Sequence, residues 1–341
     1  MHMADALISP AVGGAMWGVT ACLTAYAAKK VQSDLEERKI PLMGVLGAFV
    51  FAAQMINFSI PGTGSSGHLG GGLLLAILLG PHAAFLTIAS ILMIQALFFA
   101  DGGLLALGCN IFNLGFFPCY LAYPLIYKPL VGGSSSKGRI LAASVLAGVL
   151  GLQAGAFSVV LETLFSGITE LPFSTFVLLM QPIHLAIGLV EGLVVAAVIS
   201  FLAQAAPHVL SGPAPTKSMQ QTSLAAFFCL ALFIAGGLSW FASTQPDGLE
   251  WSIAETSGQE ELTTTSEVHA LLQQWQTKYS PFPDYTFKSE ETAEAAADDS
   301  KDTSWPSVDA GKSVAGMLGA CLTLCLAFFT GKALRYAAKH H

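Results

Sequence analysis

The sequence predicts an all-α, polytopic membrane protein with about nine transmembrane helices and a small extracytoplasmic domain between the last two. Hydrophobic residues make up 53% of the 341 residues, and only 11% of residues are charged. Soluble domains carry about 25% charged residues, whereas this chain has a mean hydropathy of +0.62. This composition, together with apolar stretches of membrane-spanning length, indicates a protein embedded in a lipid bilayer.

Apolar stretches predict the spanning helices in order along the chain. They cover residues 10–28, 41–58, 69–80, 81–100, 104–127, 140–164, 174–204, 222–242 and 313–333. The stretch 69–80 is short and rich in glycine, so we expect it to span only with its neighbour's support. The predicted organisation is a membrane domain (1–205), a cytoplasmic linker (206–221), a second unit of two helices (222–333) that encloses the polar segment 243–312, and a cytoplasmic tail (334–341).

Basic residues predict the orientation, because cytoplasmic loops of membrane proteins are enriched in Lys and Arg. With nine spans, all of the 15 basic residues fall on one side except Lys278, Lys288, Lys301 and Lys312. We therefore expect a multi-pass protein of the inner (plasma) membrane, with the N-terminus extracytoplasmic and the C-terminus in the cytoplasm.

Several classes of function are disfavoured. Fourteen of the 22 acidic residues lie between Asp247 and Asp309, and no basic patch carries interleaved aromatic residues, so we expect no nucleic-acid partner. The six cysteines lie in apolar runs without CxxC spacing, which gives no support for a disulfide framework or a zinc knuckle. Residues 310–313 read AGKS, but Pro306 stands where a phosphate loop needs its first glycine, so we expect no ATP-hydrolysing motor here. The terminal His340 and His341 are interpreted as a tag remnant without a role.

Ionisable groups inside apolar stretches are candidates for function, because the bilayer penalises them. Glu162, His184 and Glu191 are such groups, although hydrogen bonds between helices would also explain them. An intramembrane metalloenzyme would need His68, His184 and Glu191 to converge. We expect that they do not, since His184 lies near the middle of a predicted helix and His68 at the outer surface.

The acidic segment 243–312 could also steer cations by long-range attraction, through residues such as Glu290, Glu291, Asp298 and Asp299.

The first residues, MHMADA, suggest a metal chelate. The Met1 amine, the main-chain nitrogen of His2 and the His2 imidazole Nδ1 can close a five-membered and a six-membered ring around one ion. A fourth nitrogen is expected from His68, which lies in the glycine-rich loop PGTGSSGHLGGG on the same side. A square of four nitrogens is typical of Ni(II) or Cu(II). Asp5, Asn57 and Asp101 are candidates to orient these ligands or to offset the charge of the ion.

Three segments identify a family resemblance. MHMADALISP, PGTGSSGHLGGGLLLAILLGPHAA and QALFFADGGLLALGCNIFNLG resemble the CbiM/NikM substrate-binding component of nickel and cobalt energy-coupling-factor (ECF) transporters, over roughly residues 1–205. QPDGLEW and its flanking helices resemble the smaller CbiN/NikN companion with its PDGLE domain. Family members commonly begin MHIPDG or MHIMEG, and the positions that differ here flank the chelate without removing a ligand.

The resemblance implies ATP-driven uptake of Ni(II) or Co(II), with no enzymatic activity and no cofactor in this chain. It implies that the N-terminus folds back into the helices, that Met1, His2 and His68 bind the transported ion, and that the companion unit assists loading. It also implies separate partners, namely ECF ATPase subunits and a coupling transmembrane subunit. Two alternatives remain open: cobalt uptake for cobalamin synthesis, and a non-transporting metal sensor.

Overall fold

A computed structural model describes residues 1–34, 36–37, 39–133, 136–210, 216–259, 262, 266–287 and 305–339. The predicted all-α, membrane-type architecture is confirmed. The helices are α1 (Pro10–Asp34), α2 (Lys39–Gln54), α3 (Gly72–Leu79), α4 (Pro81–Phe99), α5 (Leu107–Val131), α6 (Lys137–Ser166), α7 (Phe173–Ala205), α8 (Lys217–Gly236), α9 (Gly248–Ser257), α10 (Glu267–Tyr279) and α11 (Ala310–Lys339). Short helical turns cover Asp5–Leu7, Pro207–Leu210, Leu238–Phe241 and Pro283–Tyr285.

Seven of the helices in the described part of the chain are long and apolar enough to cross a bilayer: α1, α4, α5, α6, α7, α8 and α11. The other two predicted spans correspond to α2, with 16 residues, and α3, with 8 residues. At 1.5 Å per residue, α3 is about 12 Å long, too short for a hydrocarbon core of about 30 Å. The count of nine spanning helices therefore stays a prediction.

The loop before α3 occupies the space that a longer helix would fill. Strands β1 (Phe58–Ile60) and β2 (Ser65–Gly67) form an antiparallel hairpin in this loop. The Glu191 carboxylate in α7 then accepts the N–H groups of Gly70, at 2.9 Å, and Gly71, at 3.2 Å. An anionic group at a helix N-terminus satisfies free N–H groups and complements the helix dipole. Glu191 thus fixes the start of α3 and the loop that carries His68.

Small residues bring α6 and α7 into close contact. A Cβ added at Gly192 would lie 2.5 Å from Val145 Cα, and one added at Gly148 would lie 3.0 Å from the Gly192 nitrogen. Glycine at such positions lets two helix backbones approach without a side chain between them. The pair forms one wall of the bundle and holds Glu191 opposite the hairpin.

The two predicted units share one helical bundle. Helices α8 and α11 pack on α2, and Gly44 on α2 lies so close to α11 that an added Cβ would meet the Leu324 carbonyl oxygen at 2.8 Å. Helix α8 begins at Lys217, inside the predicted linker 206–221, because the Thr216 side chain accepts the Met219 N–H and caps it. Helix α11 continues to Lys339, so most of the predicted tail 334–341 is helical.

The two chain ends lie at opposite ends of the bundle. Near the C-terminus, Lys339 Nζ lies 2.6 Å from Glu37 Oε1 in the loop between α1 and α2, and Arg335 also contacts that carboxylate. The N-terminal residues instead lie beside the hairpin and the segment that follows α8. The number of crossings and the orientation of the chain in the membrane stay predictions.

Candidate metal centre

The N-terminal segment is inserted into the helical body. Met1 is 5% exposed, and Met3 and Ile8 are fully buried. The Met3 N–H donates to Asn110 Oδ1 at 2.8 Å, and the Met3 carbonyl accepts the Gly103 N–H at 2.9 Å. An extended chain without neighbouring strands must find such partners for its buried main-chain groups, and these contacts fix the position of the first two residues.

Asp5 anchors the same segment. Its Oδ1 accepts the Ala106 N–H at 3.0 Å, and burial raises the pKa of the carboxyl. The predicted role was to orient His2 or to offset the charge of an ion. In the structure, Asp5 accepts its hydrogen bond from the segment between α4 and α5. Asp5 therefore affects His2 by fixing the position of the main chain.

The Met1 amine and His68 meet in the interior. The amine nitrogen lies 3.3 Å from His68 Nε2. His68 Nδ1 lies 3.2 Å from the Leu69 carbonyl oxygen, which places the ring proton on Nδ1 and leaves the Nε2 lone pair facing the amine. Burial, the terminal ammonium and His2 together lower the pKa of His68 to about 3, although Asp247 and Asp101 oppose them. His68 is therefore a neutral imidazole with a lone pair to donate.

His2 lies beside His68 and contacts Asp101. The two imidazole rings are nearly parallel, at 11°, and their centroids are 5.0 Å apart. His2 Nδ1 lies 3.2 Å from Asp101 Oδ1, and Asp101 Oδ2 accepts the Tyr285 hydroxyl at 2.6 Å. Burial lowers the pKa of His2, and Asp101 opposes this effect only in part. The structure thus brings together the predicted residues Met1, His2, His68 and Asp101.

Asp247 is the site residue that sequence reasoning missed. Its Oδ2 accepts a hydrogen bond from the Met1 ammonium at 2.9 Å and lies 3.9 Å from His68 Nε2. Burial alone would raise the pKa of this carboxyl, but the ammonium, His68 and the hydrogen bonds that the carboxylate accepts together outweigh burial and hold the pKa below its usual range. The QPDGLEW segment was noticed only as a mark of the companion unit, so its aspartate was not connected with the N-terminus.

The PDGLE motif forms a helix start that aims this carboxylate. Asp247 Oδ1 accepts the N–H groups of Leu249 and Glu250, each at 2.8 Å, while Glu250 Oε2 accepts the Asp247 N–H at 2.9 Å. This capping box leaves Oδ2 free to face the amine. Gly248 is needed for close packing, since an added Cβ would lie 2.4 Å from Ile183 Cγ2.

The segment after α8 is held against the hairpin and covers the N-terminus. The Ser66 N–H donates to the Pro246 carbonyl at 2.8 Å. From α10, His269 Nε2 lies 2.8 Å from the Ile8 carbonyl oxygen, and Gln276 Nε2 donates to the Gly102 carbonyl at 2.8 Å. The companion unit therefore contacts the inserted segment and the chain that supports it.

The remaining predicted residues make contacts elsewhere or lie outside the described part of the chain. The Asn57 carbonyl accepts the Ser243 N–H at 2.7 Å, and Asn57 does not line the cavity beside Met1. Glu162 accepts a hydrogen bond from Asn113 at 2.7 Å and so ties two helices together. The steering residues Glu290, Glu291, Asp298 and Asp299 lie outside the described residues.

The expectation that His68 and His184 stay apart is wrong. Both line one small cavity together with Met1 and Asp247. The loop after α2 enters the bundle and brings His68 to the cavity that His184 also lines. A prediction based on unbroken helices could not show this. Glu191, seven residues further along α7, binds the same loop.

Side chains alone do not form a metal site in the described residues: no group of three or more His, Cys, Asp and Glu residues is arranged to hold an ion. The nitrogens close to one another here include the terminal amine.

Comparison with known proteins identifies two families along the chain. Residues 2–209 match the family model CbiM, described as a cobalt uptake substrate-specific transmembrane region. Residues 221–336 match the PDGLE domain. The resemblance noted in the sequence is therefore confirmed in both parts.

Curated relatives carry names of nickel or cobalt transport. The fused nickel transport protein NikMN of Rhodobacter capsulatus is 30% identical over 262 residues, which cover 70% of this chain and 74% of the relative. The cobalt transport protein CbiM of Sorangium cellulosum is 30% identical over 224 residues, covering 62% and 94%.

Two solved structures share the fold. A crystal structure of a transition metal transporter has a TM-score of 0.54 at 28% identity and covers 66% of this chain and 99% of its own. A truncated transition metal transporter has a TM-score of 0.53 at 30% identity, with 60% and 99% covered. The chain belongs to the CbiM family of nickel and cobalt transport proteins, as a multi-pass membrane component that carries a PDGLE domain in the same polypeptide.

Proposed function

We propose that this chain is the substrate-specific component of an ATP-driven ECF-type transporter, and that it captures Ni(II) from the extracytoplasmic side. The observation that carries this proposal is the buried Met1 amine at 3.3 Å from His68 Nε2. Metal–nitrogen bonds of about 2 Å place adjacent corners of a square about 2.8 Å apart, so small movements bring these two nitrogens to adjacent corners. The His2 amide and imidazole supply the other two corners.

Loading requires three changes at the site. The main-chain nitrogen of His2 must lose its proton to solvent, because an amide nitrogen binds a metal ion only when deprotonated. The Met1 amine must lose its proton and leave Asp247, which lies 2.9 Å away. His2 Nδ1 must leave Asp101, and a rotation of the imidazole about its Cβ–Cγ bond would turn it toward the amine. Asp101 can then accept a hydrogen bond from the other ring nitrogen, which is the usual way a protein orients a metal-binding histidine. His2 Nε2 is buried without a partner in the described structure, so it is available for this contact.

Asp247 gives the companion unit a role in loading. In the metal-free protein, it neutralises the terminal ammonium and keeps the N-terminus inserted. Its carboxylate also offers an oxygen ligand to an arriving hydrated cation. We infer that the PDGLE segment keeps the N-terminus inserted before metal binds. When the ion arrives, the Asp247 carboxylate gives up its contact with the ammonium and contacts the metal ion instead.

Nickel is the cargo that the ligand set favours, because four nitrogens in one plane suit low-spin Ni(II). Cobalt uptake for cobalamin synthesis is the alternative, since relatives named for either metal resemble this chain. In the described part of the chain, the AGKS residues lie in the first turn of α11. Pro306 replaces the first glycine of a phosphate loop, and residues 305–309 form no strand before α11, so we assign ATP hydrolysis to separate ATPase subunits that act through a coupling membrane subunit.

Blocking the terminal amine tests the proposal. The full chain would be purified with a free or an acetylated Met1 amine, and bound Ni(II) measured by native mass spectrometry. We expect one ion per chain with the free amine and at least a tenfold weaker affinity after acetylation, because one corner of the square is lost. The matched control is His82→Ala, which removes a histidine whose Nδ1 contacts Tyr120 rather than the N-terminus. Equal nickel binding by acetylated and free protein would disprove the assignment.

A further inference from the structure

His184 is a buried imidazole with one unused nitrogen. The side chain lies on α7 and is 1% exposed. Its Nδ1 lies 2.8 Å from the Met180 carbonyl oxygen, so Nδ1 carries the proton and donates it. Nε2 therefore keeps its lone pair, and it has no hydrogen-bond partner in the described structure. Buried polar atoms without partners are rare and call for an explanation.

The unused nitrogen belongs to a ring that lines the candidate metal centre. His184 shares a small cavity with Met1, His68 and Asp247. The ring also approaches the PDGLE turn, since a Cβ added at Gly248 would lie 3.4 Å from His184 Cε1, the atom bonded to Nε2. A neutral imidazole whose Nδ1–H is held by a carbonyl is the form in which histidine binds metals.

Release of an ion from a square-planar site needs such a group. Ligand exchange at square-planar d8 ions is associative: a fifth ligand binds first, and one of the original four then leaves. In a buried site, water is scarce, so the protein itself must supply the entering ligand. We propose that His184 Nε2 is this entering ligand, which takes hold of the Ni(II) ion and moves it out of the planar nitrogen set; the inference rests on the proposed function.

The proposal assigns a ligand role to Nε2, and two substitutions separate this role from packing. His184→Asn keeps a donor for the Met180 carbonyl but removes Nε2. His184→Cys replaces that donor with a weaker S–H group but provides a sulfur ligand for nickel. If Nε2 acts as a ligand, nickel release should be slow in the Asn variant and close to the wild-type rate in the Cys variant. If His184 acts only in packing, release should be close to the wild-type rate in the Asn variant and altered in the Cys variant.

The measurement is the rate at which full-length, nickel-loaded protein loses Ni(II) to excess EDTA, with stoichiometry checked by native mass spectrometry. We expect one ion per chain in all variants, release at least tenfold slower for His184→Asn, and near wild-type release for His184→Cys. His82→Asn, in a half-buried histidine outside the cavity, should release at the wild-type rate. If His184→Asn releases nickel at the wild-type rate, as expected when Nε2 merely binds a trapped water, the proposal is overturned. It is also overturned if His184→Cys releases nickel as slowly as His184→Asn does. Absence of nickel from the wild-type protein would instead refute the proposed function itself.

Discussion

The ion pair between the Met1 ammonium and Asp247 should hold the N-terminus in place before metal arrives, and Asp247→Asn tests this. At 2.9 Å, two unit charges attract by about 6 kcal/mol at an effective dielectric constant of 20. The side chains are 2% and 14% exposed, and removing one partner of a buried pair costs about 3–5 kcal/mol. Since asparagine keeps a hydrogen-bond acceptor and is an equally good helix cap, we expect a loss near 3 kcal/mol.

A loss of this size makes detachment of the N-terminal segment about 100-fold more frequent. Amide hydrogen exchange of a peptide covering residues 1–10 measures detachment in the metal-free protein, and its protection should fall by that factor. Glu250→Gln is the control, because it keeps the capping-box acceptor and removes a charge that does not contact the amine. If protection in the Asp247→Asn variant equals that of the wild type, the ion pair does not hold the segment and the reasoning is refuted.

Three further predictions concern the scaffold and the ligands. Glu191→Gln should destabilise the protein by about 2 kcal/mol, because an NH₂ group would replace one of the two oxygens that accept the Gly70 and Gly71 N–H groups; an unchanged thermal midpoint in detergent would contradict this. Gly192→Leu should lower the same midpoint by the equivalent of about 3 kcal/mol, since its Cβ would lie 2.5 Å from Val145 Cα, whereas Gly14→Leu, with open space around it, should not. Because the pKa of His68 is lowered to about 3, its imidazole stays neutral between pH 7 and pH 5, so nickel lost in that range reflects protonation of other nitrogens. Equilibrium dialysis of His68→Ala should then show weaker binding with an unshifted acid midpoint.

The sequence predicted the parts of the fold that depend on local composition. Apolar runs located the ends of the long helices to within six residues. The spacing of donor atoms in MHMADA, together with His68, predicted the residues that meet at the N-terminus. These signals are local: a stretch of about 20 apolar residues must cross a bilayer, and a chelate forms between adjacent residues.

Contacts between distant residues were not predictable in the same way. Asp247 lies 246 residues from Met1, and its capping-box pattern indicates a helix start without indicating what lies opposite. The convergence of His68 and His184 depends on the loop that enters the bundle beneath the hairpin. That loop requires Glu191 to bind its N–H groups, and a lone glutamate in a predicted helix does not reveal its partner.

The contact between Met1 and Asp247 also sets an order of events during synthesis. The first residue cannot meet its partner until 246 further residues have been added, which takes about 12 to 50 s at 5–20 residues per second. During that interval, the amine is open to the enzymes that trim or modify nascent chains. The ion pair that holds the inserted N-terminus therefore forms only after the PDGLE segment has been made.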